Sequence, residues 1–164
     1  MGPGSFTGLR IGCGVAQGLA FGADLPLIPI STLRALAQSG ARIFGAQTVL
    51  AVLDARLQEI YWGCYTIDAQ GIMQAIQSDQ LSKPSQVVMP ALSTPCMGIG
   101  NGWQIYADAL DNIGKQLIKI EFNNYPQAQD VAVLAEVEWQ ATRVIAPELA
   151  LPVYLRNDVA MKSK

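Results

Sequence analysis

Gly2-Pro3-Gly4-Ser5-Phe6-Thr7-Gly8-Leu9-Arg10-Ile11-Gly12, continued by Cys13-Gly14-Val15-Ala16-Gln17-Gly18-Leu19-Ala20-Phe21-Gly22, opens the chain as a loop feeding a helix. Alternating Gly and Pro make a tight turn, and Thr7 is placed to cap a helix that runs to about Gly22, where Asp24 and Pro26 stop it. Small residues recur at every fourth place, Gly8, Gly12, Ala16 and Ala20 on one stripe and Gly14, Gly18 and Gly22 on another. A glycine inside a solvated helix costs about 1 kcal/mol relative to alanine. So many of them are expected where other backbones press close, and the helix is read as packed on more than one side. Arg10 and Gln17, its two strongly polar residues, are seven apart on one face, with Gly14 between them and Phe21 beyond. That face is the expected partner surface.

Outward from this helix, 26–30 reads as a short apolar strand, and Ser31 caps a second helix over 32–39 closed by Gly40. The run 48–54 is nearly continuously apolar, the pattern of a strand covered on both faces. Strands over 59–67 and 72–76 follow through short turns and complete an antiparallel meander. Ser82 and Pro84 begin a short helix through Val88; then come a strand over 95–100, a helix over 103–110, a strand over 117–122 and a long helix over 129–145. On the last, Val133, Val137, Ala141 and Val144 fall on one face. The tail 151–156 is extended and leads into Asn157, Asp158 and a basic end. A mixed α/β sheet with helices on its faces follows from this order. Residues 2–40 hold a single short strand, too little sheet for two apolar helices, so elements that cover them are expected to be missing from this chain.

The 164 residues are 51% hydrophobic and only 15% charged, against a usual charged share of about 25%. A protein interface is the expected remedy. Residues 11–23 are too few and too glycine-rich to span a bilayer, 84–107 is broken by prolines and polar residues, and no basic leader precedes an apolar segment, so no membrane association and a cytoplasmic location are expected. Net charge is −2 with no run of lysine or arginine, which excludes a free-standing nucleic-acid groove; any contact with nucleic acid would go through a partner. Cys13, Cys64 and Cys96 have no paired spacing and read as buried free thiols. The sequence has no histidine, which removes Ser-His-Asp and Cys-His nucleophile arrangements and every histidine-based metal site.

Chemistry has few candidates. Gly2, Gly4 and Ser5, at a helix start, could bind the phosphates of a nucleotide, although the Lys-Ser/Thr of a P-loop is lacking. Gly98-Ile99-Gly100-Asn101-Gly102 invites the same reading, and tight strand-to-helix packing explains it equally well. Asp54, Arg56 and Glu59 at the first meander turn could form an acid–base site, or simply a solvated ion pair worth about 0–1 kcal/mol. Asp130, Glu136 and Glu138 read as the wet face of the last helix, and Trp62, Trp103 and Trp139 as core residues.

The opening motif is similar to the signature of the bacterial TsaB (YeaZ) family. The likeness continues through Pro29-Ile30-Ser31-Thr32-Leu33, Leu53-Asp54-Ala55-Arg56 with Glu59-Ile60-Tyr61-Trp62, Gly98-Ile99-Gly100-Asn101-Gly102-Trp103, and Pro152-Val153-Tyr154-Leu155-Arg156-Asn157. This resemblance implies the actin-like ATPase (ASKHA) superfamily fold of two ribonuclease-H-like lobes, with 1–46 the remnant of an incomplete first lobe and 47–164 the second. It implies a non-catalytic subunit that binds and activates the TsaD threonylcarbamoyltransferase in modification of tRNA adenosine 37, with the ATPase TsaE as a further partner. tRNA would be met only through that complex, and a homodimer is the competing assembly. No catalytic residue, metal or cofactor is expected on this chain, ATP and metal belonging to the partner subunits. The implied interface is Leu9, Arg10, Gly14, Gln17, Gly18 and Phe21. The reading from another class is a nucleotide-dependent transferase or peptidase-like enzyme of the same fold, working in the interlobe cleft with Asp54 or Glu59.

Overall fold

Val49, Leu50, Ala51 and Val52 are buried because their strand, Thr48–Asp54 (β1), has neighbours on both sides and helices above and below. The computed structural model describes residues 1–156. Ahead of β1 lie Phe6–Ala23 (α1) and Thr32–Phe44 (α2); after it come Ile60–Ile67 (β2), Met73–Ala75 (β3), Gln80–Ser82 (β4), Cys96–Ile99 (β5), Gly102–Ile105 (α3), Ala107–Gly114 (α4), Lys119–Glu121 (β6) and Ala128–Gln140 (α5). The sheet order is β3-β2-β1-β5-β6, with β4 also paired to β2. β1 runs antiparallel to β2, Val49 opposite Tyr65, and parallel to β5, Val49 opposite Met97. β6 continues the parallel side, Gly98 opposite Ile120.

Strand alternation sends Val49 and Ala51 to one face, where Leu33, Leu36 and Ala37 of α2 meet them with Tyr65 and Ile99. Leu50 and Val52 point to the other, among Trp62, Cys64, Trp103 and Leu110. A third cluster, Ile30, Ala35, Ile72 and Leu134, seats α5 beside α2. The expected meander and mixed sheet are therefore present, and among the described residues no helix is long and apolar enough to cross a membrane.

Several expectations are corrected. Ser5, not Thr7, caps α1, its hydroxyl accepting from the Gly8 N–H at 3.3 Å. Residues 26–30 form no strand; Pro26 and Pro29 lack donors, and an isolated bridge joins Leu27 to Ile145. α2 runs through Gly40 to Phe44, because a left-handed Gly45 (φ 67°) caps it and Gly40 lets the helix approach Val49. Over 84–88 there is only a 3₁₀ turn, Pro84–Gln86, while β4 was unforeseen. The helix expected over 103–110 is two, broken at Tyr106. α5 stops at Gln140, with Thr142 left-handed, and it buries Leu134, Asp130 and Glu138 rather than the valine face. Asp130 (1% exposed) and Glu138 (8%) are thus not on a wet face, whereas Glu136 is exposed. α2 supplies the reason: Arg42 meets Asp130 at 2.8 Å and Arg34 meets Glu138 at 2.6 Å. Trp62 and Trp103 are core residues as expected; Trp139 is exposed. Asn157 and Asp158 lie outside the described residues.

The two helices of 2–40 differ in fate. α2 lies on the sheet, while in α1 only Ala20 is buried. The close packing expected around the glycines of α1 is absent: a Cβ built on Gly12, Gly14, Gly18 or Gly22 meets nothing within 4 Å.

Candidate functional site

α1 has an anchored side and an open one. Leu9, Cys13, Ala16 and Ala20 are half-buried or buried, and with Gly8 and Gly12 most of that side lines a groove of about 200 Å³ against Leu27, Ile28, Pro29, Ile145 and Ala150. Residues 147–154 strap the helix down. Gln17 Nε2 donates to the Pro147 carbonyl at 2.9 Å, Arg10 Nε donates to the Tyr154 hydroxyl at 2.9 Å, and the Arg10 guanidinium stacks 3.8 Å from the Phe6 ring centroid. The open side presents Ile11, Val15, Leu19 (71% exposed) and Phe21 (79%), with Gly14, Gly18 and Gly22 between them.

The six residues expected at a partner interface therefore separate. Gly14, Gly18 and Phe21 lie on the open side; Arg10 and Gln17 stand at its flank, bonded within the chain; Leu9 faces inward over Gly2 and Gly4. Ile11, Val15 and Leu19 were not singled out from the sequence. Their signal is the i, i+4, i+8 aliphatic spacing, which the polarity of Arg10 and Gln17 masked.

Beside the start of α1 is a cleft of about 550 Å³, lined by Gly4, Ser5, Thr7, Asp54, Arg56, Asn101 and Arg156 among others. Gly2 and Gly4 are turned to structural work: the Gly2 carbonyl accepts from the Thr32 N–H at 2.9 Å, and Leu9 methyls lie within 4 Å of a Cβ built on either. Ser5 spends its hydroxyl on its own helix. Asp54 accepts from the Tyr106 hydroxyl at 2.8 Å and from the Arg56 N–H at 2.9 Å, while Asn101 Oδ1 holds the Asp54 N–H at 3.1 Å. Burial, then the Asp54 carboxylate, push the Tyr106 phenol up. Glu59 is held separately by Arg156 at 2.6 Å. The two carboxylates are thus engaged by different partners. The Arg56 guanidinium, 3.6 Å from Asp54, reaches into solvent from a turn whose residues Arg56, Leu57 and Gln58 are all left-handed.

The second glycine motif is explained by packing. Gly100 (φ 111°) crosses the Val52 carbonyl so closely that a Cβ would overlap it, and a Cβ on Gly102 would lie 2.6 Å from a Val52 methyl. Cys64 and Cys96 are buried and free, Cys13 half-buried. Cys64 beside it and burial push the Cys96 thiol up. Among the described residues no group of three His, Cys, Asp or Glu is arranged to hold a metal ion.

The model of the family TsaD, tRNA N6-adenosine threonylcarbamoyltransferase, matches residues 1–164. The chain is 44% identical over 163 residues to the tRNA threonylcarbamoyladenosine biosynthesis protein TsaB of Escherichia coli (strain K12), covering 98% of this chain and 70% of that protein. It is 36% identical to the protein of the same name from Haemophilus influenzae, with the same coverage. Two solved structures from Pseudomonas aeruginosa, one described as YeaZ and one as an uncharacterized protein with similarity to peptidase YEAZ, superpose with a TM-score of 0.87 at 39% identity, covering 94% of this chain and 70% of theirs.

Proposed function

Because the chain belongs to the TsaB (YeaZ) family of tRNA threonylcarbamoyladenosine biosynthesis proteins, with the fold of the actin-like ATPase superfamily, we propose that it is a non-catalytic subunit that docks on TsaD through α1 and activates it. The observation that carries this reading is the open side of α1. Its three glycines, Gly14, Gly18 and Gly22, have empty space where a side chain would stand, and Ile11, Val15, Leu19 and Phe21 project beside them. Glycines on an exposed helix weaken it, and they become useful where a second helix approaches to backbone distance. Fully burying four such side chains contributes on the order of 6 kcal/mol before the costs of association.

The absence of histidine from the sequence and the separate engagement of Asp54 and Glu59 support a non-catalytic role over an enzyme working in the cleft. In this reading TsaE joins the complex in the cytoplasm and tRNA is contacted through the partners, in keeping with a net charge of −2. Residues 1–46 belong to the first ribonuclease-H-like lobe and 47–164 to the second, α2 forming the junction. The test is titration of purified TsaD with the wild-type chain and with Gly14→Trp. Among the described residues no atom lies within 4 Å of a Cβ built on Gly14, and the melting temperature of the variant is the control for its fold. Loss of binding and of TsaD stimulation at an unchanged melting temperature is expected; undiminished binding rejects α1 as the docking face.

A further inference from the structure

We propose that Arg10 is the residue by which α1 selects its partner, its guanidinium receiving an aspartate or glutamate side chain that TsaD brings to the flank of the helix. The inference deepens the docking reading above and rests on it. Arg10 is the one charged residue within α1. It is exposed, and among the described residues no carboxylate is paired with it. Gly14 stands one turn further along, with open space beside it, so a helix seated over Gly14 passes within reach of the Arg10 head group.

The head group is held in place ahead of any partner. Its central carbon lies 3.8 Å from the Phe6 ring centroid, and Nε donates at 2.9 Å to the hydroxyl of Tyr154, 144 residues away in sequence. The Phe6 and Tyr154 rings are 5.7 Å apart, so α1 and the strap grip the guanidinium together. Of its five N–H donors only Nε is engaged among the described residues, which leaves both Nη atoms open. Their parallel N–H groups match the two oxygens of a carboxylate, and a guanidinium already held by stacking loses little further freedom on pairing. The neighbours of Arg10 on the open side are Ile11, Val15 and Leu19, an apolar surface suited to a protein helix, whereas a nucleic acid would need further unpaired cations beside the first. An aliphatic face alone accepts many apolar helices. One fixed cation at its edge turns away those that bring a lysine or arginine to that place and favours one that brings an acid.

Titration of purified TsaD with the wild-type chain, Arg10→Met, Arg10→Lys and Tyr154→Phe tests the proposal, with melting temperatures as the control for folding. Arg10→Met is expected to raise the Kd about thirtyfold and to remove its dependence on salt, and Arg10→Lys, which keeps the charge and loses the fork, to raise it about tenfold. Tyr154→Phe, which frees Nε, is expected to raise it about threefold with the salt dependence retained, as befits a positioning residue. Arg10→Glu is then paired with TsaD variants in which each exposed Asp or Glu of the docking surface is reversed to Arg in turn, and one reversal is expected to bring the Kd back to within about tenfold of wild type. Gly14→Trp separates the two readings. If it abolishes binding while the Arg10 variants bind as the wild type does, docking on α1 stands and the carboxylate contact is overturned; if it binds undiminished, or if the wild-type chain does not bind TsaD, both fall. Failure of every TsaD reversal to rescue Arg10→Glu also overturns the proposal, as does binding of a short single-stranded RNA that Arg10→Met loses, which would assign the fork to a phosphate.

Discussion

Glu138 shows how much one residue can carry. Its carboxylate stands between Arg34, 2.6 Å away, and Arg143, and Arg34 also donates to the Met73 carbonyl at 2.7 Å, so a single network joins α5, α2 and β3. Arg143 first, and Arg34 with it, hold the Glu138 carboxyl below its ordinary value of 4.5. A carboxylate whose folded value is depressed adds stability that is fully present above its unfolded value and is lost as pH falls through the folded one. The urea midpoint is therefore expected to drop as pH is lowered below about 4.5, and Glu138→Gln to drop less steeply over that interval. At neutral pH, Glu138→Ala strands Arg34 in a mostly buried site at a cost of about 3 kcal/mol, the low end for a broken buried pair because Arg143 remains exposed. Urea unfolding checks the size, and a loss below about 1 kcal/mol would mean that the arginines find water instead.

At the scale of the element, α1 is a helix whose composition works against it in the isolated chain. Gly12, Gly14, Gly18 and Gly22 each weaken it, and among the described residues no neighbour exploits the space they leave. Gly12→Ala with Gly18→Ala is expected to raise stability, each by up to about 1 kcal/mol, since neither new methyl meets another atom. Thermal melts followed by circular dichroism measure the gain. A loss instead would mean that the helix is packed in solution against something its own chain does not provide. α2 has two glycines with the opposite meaning: Gly40 lies against Val49 on the sheet, and Gly45 caps the helix in a left-handed conformation. The same residue type thus marks an open surface, a contact made and a chain reversal.

Across the whole molecule, stability is expected to be uneven. β1, β2, β5 and α2 share cores with fully buried Leu33, Leu36, Val49, Leu50 and Ile99, whereas α1 is tied on by Gln17, Arg10 and the strap that ends in Arg156. Hydrogen exchange should show two tiers, with the amides of α1 exchanging at least tenfold faster than those of β1, and Tyr154→Ala should speed α1 further while leaving β1 unchanged. A uniform rate across both would contradict an independently loosened helix. Much of this architecture was legible beforehand because its causes are local. Thr48–Asp54 announced a doubly covered strand by its unbroken apolar run from Val49 to Leu53, and the turns after it announced the meander. The TsaB signature was equally legible, because its motifs are contiguous runs of sequence. The tertiary structure decided which surfaces those elements use. Asp130 and Glu138 look solvated on their own helix and are buried because arginines from a helix 88 and 104 residues earlier neutralise them, a compensation that no window of sequence contains. Arg10 and Gln17 look available and are bonded to residues near the far end of the chain, while Ile11, Val15 and Leu19 are left open. Periodicity fixes which residues share a face; only the folded chain determines whether that face meets a partner, itself or water.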